Sequence, residues 1–185
     1  MHINTKNIAL SGMLMAISVI CIVLGSFVQF NTLVFLLLAA FLSGAIMFDM
    51  GLGVGAMFIA GTFVLGFILS PNKMYAFTYL GFAIYIFLTE AAYRCQNAIM
   101  AKGVNLSKTI WNCIIWTYKF FVFNTIYMIC LLMMPEVILS EEILKKGGFV
   151  IAIAAIAGQV VWIILDIAYN TFIMKFWMQF RKRIK

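Results

Sequence analysis

The chain has 185 residues, 65% of them hydrophobic and only 10% charged, and its mean hydropathy is +1.09. These values lie far outside the range of soluble domains and point to an integral membrane protein, long enough for about six spans because each helix needs roughly 20 residues. The formal net charge of +7 would suit nucleic acid, but the basic residues gather at span ends and in the tail, where charge sets membrane orientation, so nucleic-acid binding is set aside.

Span 1, residues 7–30, carries no charged side chain. Ala9, Gly12 and Ala16 fall at i, i+3 and i+7, which on a helix makes one smooth strip where another helix can approach closely. The strip either packs inside the bundle or docks a partner. Span 2, residues 33–48, follows a short turn at Asn31 and Thr32, and span 3, residues 51–69, follows Asp49. The glycines of span 3, Gly51, Gly53, Gly55, Gly61 and Gly66, favour close helix packing. Their Gly-x-Gly-x-Gly opening is no dinucleotide loop, because it follows no strand and leads into an apolar span.

Pro71 and Asn72 break the helix before span 4, residues 74–93. Tyr75 and Tyr79 there fit an interfacial aromatic belt, and Glu90 lies near the far end. The segment from Arg94 to Lys108 is the longest clearly hydrophilic link, and its Asn105-Leu106-Ser107 matches a glycosylation acceptor that only a secretory lumen could use. Span 5, residues 109–134, holds Lys119 and Asn124 and stops at Pro135. The next link carries Glu136, Glu141, Glu142, Lys145 and Lys146, and Ser140 is placed to cap a short helix there, either a lid or a solvated connector. Span 6, residues 148–174, contains Gln159, Trp162, Asp166 and Asn170. The tail, residues 175–185, alternates aromatic and basic residues and is expected at the membrane surface.

The expected fold is therefore all-α: one integral membrane domain over residues 1–185, a bundle of six transmembrane helices. Six spans put both termini on one side, with Lys6, Arg94, Lys102, Lys108, Lys175, Arg181, Lys182, Arg183 and Lys185, against Lys73, Lys145 and Lys146 opposite. Both termini are expected to be cytoplasmic. Cys21, Cys95, Cys113 and Cys130 have no C-x-x-C spacing, so neither a disulfide framework nor a zinc site is indicated. The first apolar run is longer than a signal-peptide core and is expected to remain in the mature protein.

Ionisable residues inside a membrane are candidates for function, because they face the bundle interior or a water-filled cavity. Lys119 and Asp166 lie at similar depths, so Lys119 either pairs with Asp166 between spans 5 and 6 or faces a ligand. Toward the outer half stand Asn72, Asn124, Tyr127, Gln159 and Trp162, which with Lys119 make a candidate small-molecule site of aromatic walls and a few polar groups. No catalytic motif is present: there is no H-E-x-x-H, no G-x-S-x-G and no Walker loop, and His2 is the only histidine. The chain is not expected to be an enzyme, and no cofactor or metal is expected.

The size, the six spans, the basic start and the small-residue motif Gly12-Met13-Leu14-Met15-Ala16 in span 1 resemble the substrate-binding S components of energy-coupling factor (ECF) transporters, bacterial uptake systems for vitamins and related micronutrients. The family motif is A-x-x-x-A, and Gly12 stands here for its first alanine. The resemblance implies a multi-pass protein of the bacterial cell membrane that takes a small-molecule substrate from outside. It further implies docking through span 1 on a transmembrane coupling subunit driven by two cytoplasmic ATPases, with the ligand held in the outer half where Asn72, Asn124 and Gln159 fall. The second reading is a scaffold of cell-wall elongation resembling rod-shape-determining membrane protein D, which needs no ligand cavity.

Overall fold

A computed structural model of the chain describes residues 5–28, 31–103, 107–133 and 148–184. Among the described residues there is no strand. The elements are α1 (Thr5–Phe27), α2 (Thr32–Met50), α3 (Leu52–Leu69), α4 (Lys73–Ala101), α5 (Lys108–Met133), α6 (Gly148–Thr171), a π-helical stretch at Phe172–Trp177, and α7 (Met178–Ile184). Among the described residues six helices are long and apolar enough to cross a membrane, which suggests a multi-pass membrane protein. The link over residues 134–147, with the short helix expected behind Ser140, lies outside the described residues, as does the Asn105-Leu106 part of the other polar link. The chain divides into two compact units, Met1–Val122 and Phe123–Lys185.

In the first unit α2 is central and packs on α1, α3 and α4. Every residue from Ala39 to Met47 is buried, and Ala39, Ala40, Ser43, Gly44 and Ala45 keep the helix slim. In lipid, helix contact gains little over contact with acyl tails, so close backbone approach and the dispersion it brings hold such helices together. Gly55, Gly61 and Gly66 of α3 serve the same end, whereas Gly53, also expected to favour close packing, is exposed and a Cβ there would meet nothing within 4 Å. A Cβ at Gly55 would overlap Met47 Cγ, one at Gly66 would lie 2.9 Å from Ile22 Cδ1, and one at Gly61 would lie 3.0 Å from Met15 Cε. Gly51 acts differently. It alone separates α2 from α3, at φ +98°, a left-handed conformation that glycine adopts without steric penalty.

Polar side chains finish the helix ends. Thr32 Oγ1 donates to Gly25 O at 2.9 Å, tying the start of α2 to the end of α1. The Lys73 ammonium donates to Phe67 O at 2.6 Å, Ser70 O at 3.1 Å and Ile68 O at 3.2 Å, placing a cation at the negative end of α3. The break expected at Pro71-Asn72 is thus present, with Asn72 as the N-cap of α4.

Two features differ from the sequence expectation. α4 does not end near Tyr93 but continues to Ala101, because residues 94–101 contain no proline or glycine and leaving the apolar zone does not end a helix. Arg94, one turn past Glu90, uses the extension to donate to Met47 O at 2.5 Å and Phe48 O at 3.5 Å, carbonyls in the last turn of α2. Tyr79 does not sit in an interfacial belt: it is fully buried, and its hydroxyl faces Thr62 and Ser43. Neither Tyr79 Oη nor Thr62 Oγ1 reaches hydrogen-bond geometry with any partner.

In the second unit α6 runs through the π-helical stretch into α7, so the basic tail prolongs the last helix. Trp162, Leu165, Asp166, Tyr169, Ile173 and Trp177 form its buried face at three- and four-residue spacing, while Val160, Ile164, Ile167 and Met174 point outward. Exposed aliphatic side chains at that density suit hydrocarbon rather than water.

Candidate ligand-binding site

The polar residues of the second unit converge. Gln159 on α6 donates through Nε2 to Asn124 Oδ1 on α5 at 2.8 Å, as a carboxamide on an apolar helix must find a partner. Gln159 Oε1 is sealed from solvent and receives no hydrogen bond. A buried acceptor left in that state costs about 1–3 kcal/mol.

Aromatic residues flank the amide pair along both helices. Phe123 and Tyr127, one turn apart on α5, stack with centroids 5.9 Å apart and planes 11° from parallel. The Trp162 ring lies 6.2 Å from Phe123 at 35°. Gly158 makes this arrangement possible, because a Cβ there would stand 2.9 Å from Tyr127 Cζ. The ring therefore rests on the α6 backbone beside Gln159. Asn124, Tyr127, Gln159 and Trp162, four of the six ligand residues expected from sequence, are thus drawn into one cluster that offers flat apolar faces and a fixed carboxamide. Such a surface holds a small molecule by stacking and hydrogen bonding.

The other two belong to the first unit. Asn72 is exposed, and its side chain accepts from Met74 N–H at 3.0 Å as a helix cap. Lys119 is only 1% exposed, and its Nζ donates to Tyr93 Oη at 2.8 Å. The same Nζ is 4.9 Å from the Tyr93 ring centroid; the two distances together set the ammonium off the hydroxyl end of the ring, so the contact is a hydrogen bond and not a cation stacked on the face. Asp166 belongs to the second unit, where Asn170 Nδ2 reaches its Oδ2 at 3.2 Å and its carbonyl at 2.8 Å.

Comparison of the chain with protein-family models, with curated proteins and with solved structures finds no match. Site geometry therefore carries the functional reading.

Sequence reasoning missed Tyr93, Phe123 and Gly158. A signal for Phe123 was present: Trp111, Ile115, Lys119 and Phe123 recur every fourth residue and form the buried edge of α5. On α1, Ala9, Gly12 and Ala16 are all exposed, and a Cβ on Gly12 would meet nothing within 4 Å. Ile8, Met13, Ile17 and Ile20 around it are exposed as well. Among the described residues no group of three His, Cys, Asp or Glu side chains is placed to hold a metal ion.

Proposed function

We propose that this chain is the membrane-embedded substrate-binding component of an ECF-type uptake system for a vitamin or related small molecule, working in the bacterial cell membrane with both termini cytoplasmic. The reading rests above all on the convergence of Asn124, Tyr127, Gln159 and Trp162 around an acceptor that has no donor. In this reading the cluster binds substrate without chemical change, and Asn72 and Lys119 hold helices in place. The exposed strip of Ala9, Gly12 and Ala16 supplies a smooth face for a transmembrane coupling subunit, which two cytoplasmic ATPases drive. The chain contributes no Walker loop of its own, so energy must come from those partners.

A wall-synthesis scaffold would use its buried amides as mutually satisfied packing groups. The unpartnered Gln159 Oε1 favours the transporter reading over that one. The test is purification of a tagged copy from its native host in mild detergent, followed by mass spectrometry of the associated proteins. Two ATPases and a larger membrane subunit are expected; wall-elongation proteins without ATPases would replace the transporter with the scaffold. Asn124→Leu should weaken substrate binding at least tenfold, a loss of about 1.4 kcal/mol, measured by equilibrium dialysis of the purified protein.

A further inference from the structure

We infer that the end of the last helix, from Met174 through α7, is a binding surface for anionic phospholipid headgroups. The inference does not depend on the transporter reading. It rests on charge, on helix phase and on where the apolar span stops.

Residues 167–184 carry four cations, Lys175, Arg181, Lys182 and Arg183, and no acidic residue. No carboxylate on this stretch offsets them. Helix phase then sorts the stretch into three rows. Ile173 and Trp177 are buried and Arg181 is half-buried, at four-residue spacing, which makes the inner row. Beside it Phe176 and Phe180 are 68% and 49% exposed. Lys175 and Gln179 form a third row, also exposed, and Lys182 and Arg183 follow on α7 three and four residues past Gln179, the spacings that continue a row. The outward side of the helix is thus aromatic along one edge and basic along the other.

Depth favours a lipid surface. The apolar span of this helix is Gly158–Arg181, so Lys182 and Arg183 stand directly at its end. Lys175 lies six residues inside that end, about 9 Å along the axis, and an exposed lysine there can lay its stem on apolar surface and lift its ammonium toward the headgroups. From Lys175 to Arg183 the axis advances about 12 Å, and surface charge acts over about 8 Å beyond the headgroups at physiological salt. These cations therefore all lie in the field of one headgroup layer.

Other occupants fit less well. A free anion or an acidic soluble protein would neutralise the cations but leave Phe176 and Phe180 in water, whereas a bilayer takes such rings into the boundary between headgroups and acyl chains. A zwitterionic headgroup brings a cation with its phosphate, and this stretch has no acidic residue to receive it. An anionic lipid supplies both the unopposed negative charge and the apolar boundary.

The test uses the purified full-length protein in detergent, titrated with phosphatidylglycerol and phosphatidylcholine of identical acyl chains, with retained lipids counted by native mass spectrometry. Wild-type protein should retain phosphatidylglycerol about tenfold more strongly than phosphatidylcholine. Two triple variants remove the same charge from different places: Lys175→Gln/Lys182→Gln/Arg183→Gln in the tail, and Lys6→Gln/Lys102→Gln/Lys108→Gln at exposed positions of the first unit. The tail variant should lose about tenfold in that preference and the other should stay within about twofold of wild type. Size exclusion establishes that each is folded, and Lys182→Gln/Arg183→Gln takes the place of the tail triple if the latter is not. Equal retention of the two lipids by wild-type protein overturns the proposal. So does a preference unchanged in the tail variant, which would leave the cations with a role in orienting the chain alone, or one lost equally in the other triple, which would make it a property of net charge. Displacement of phosphatidylglycerol by glycerol phosphate would make a free anion the ligand, and displacement by polyglutamate an acidic protein; either overturns the lipid assignment, and resistance to both supports it.

Discussion

Two glycine-bearing helices of the first unit have opposite fates. On α3, Gly55, Gly61 and Gly66 are each filled by a neighbour, Met47, Met15 and Ile22 respectively, whereas on α1 the space beside Gly12 holds nothing within 4 Å. In sequence both read as small-residue strips in apolar spans. What separates them is the helix face on which the small residue falls, and that depends on partners that local spacing does not name. Gly55, Gly61 and Gly66 of α3 are taken up by internal packing, whereas the α1 strip is exposed.

Substitutions can break this contrast. Gly55→Leu should be the most damaging, because the new side chain enters space that Met47 occupies near its root; a loss of about 3 kcal/mol is expected, seen as a lower unfolding midpoint in detergent. Gly66→Ala should cost about 1 kcal/mol, since the Ile22 methyl at 2.9 Å can shift only with a β-branched side chain that is stiff. At Gly61 the neighbour is the flexible end of Met15, and the better helix propensity of alanine offsets the shift, so Gly61→Ala should stay within about 0.5 kcal/mol. Gly12→Leu should leave stability within about 0.5 kcal/mol and ligand binding intact, yet abolish substrate uptake by cells. Normal uptake in that variant would end the docking assignment, and a large loss of stability would show that the strip is internal after all.

The spans were legible because apolar length and turn residues act locally. Pro71 forbids helix continuation and Asn72 caps the next helix, whichever way the helices pack. The far end of α4 was not legible, since hydropathy marks where side chains leave an apolar medium and not where backbone hydrogen bonding stops. Tyr79 was misplaced for a related reason: its depth suited a belt, but its helical phase turned it inward to Ser43 and Thr62. In the candidate site the amides of Asn124 and Gln159 stood out because carboxamides are conspicuous in apolar runs. Phe123 is one of 18 phenylalanines and Gly158 one of 13 glycines, and nothing intrinsic to either type singles out a ring stacked on Tyr127 or a seat beneath it. Lys119 was recognised as a buried charge, but Tyr93, its partner, was read only as the end of a span.

The single-residue junction at Gly51 also fixes where α2 and α3 can meet the bilayer surface. One residue advances the chain only about 3.8 Å, far less than the roughly 30 Å depth of a bilayer core. The end of α2 and the start of α3 must therefore share one face of the membrane and nearly one depth, and neither helix can slide along its axis without drawing the other. A tag spliced into the junction would release that register.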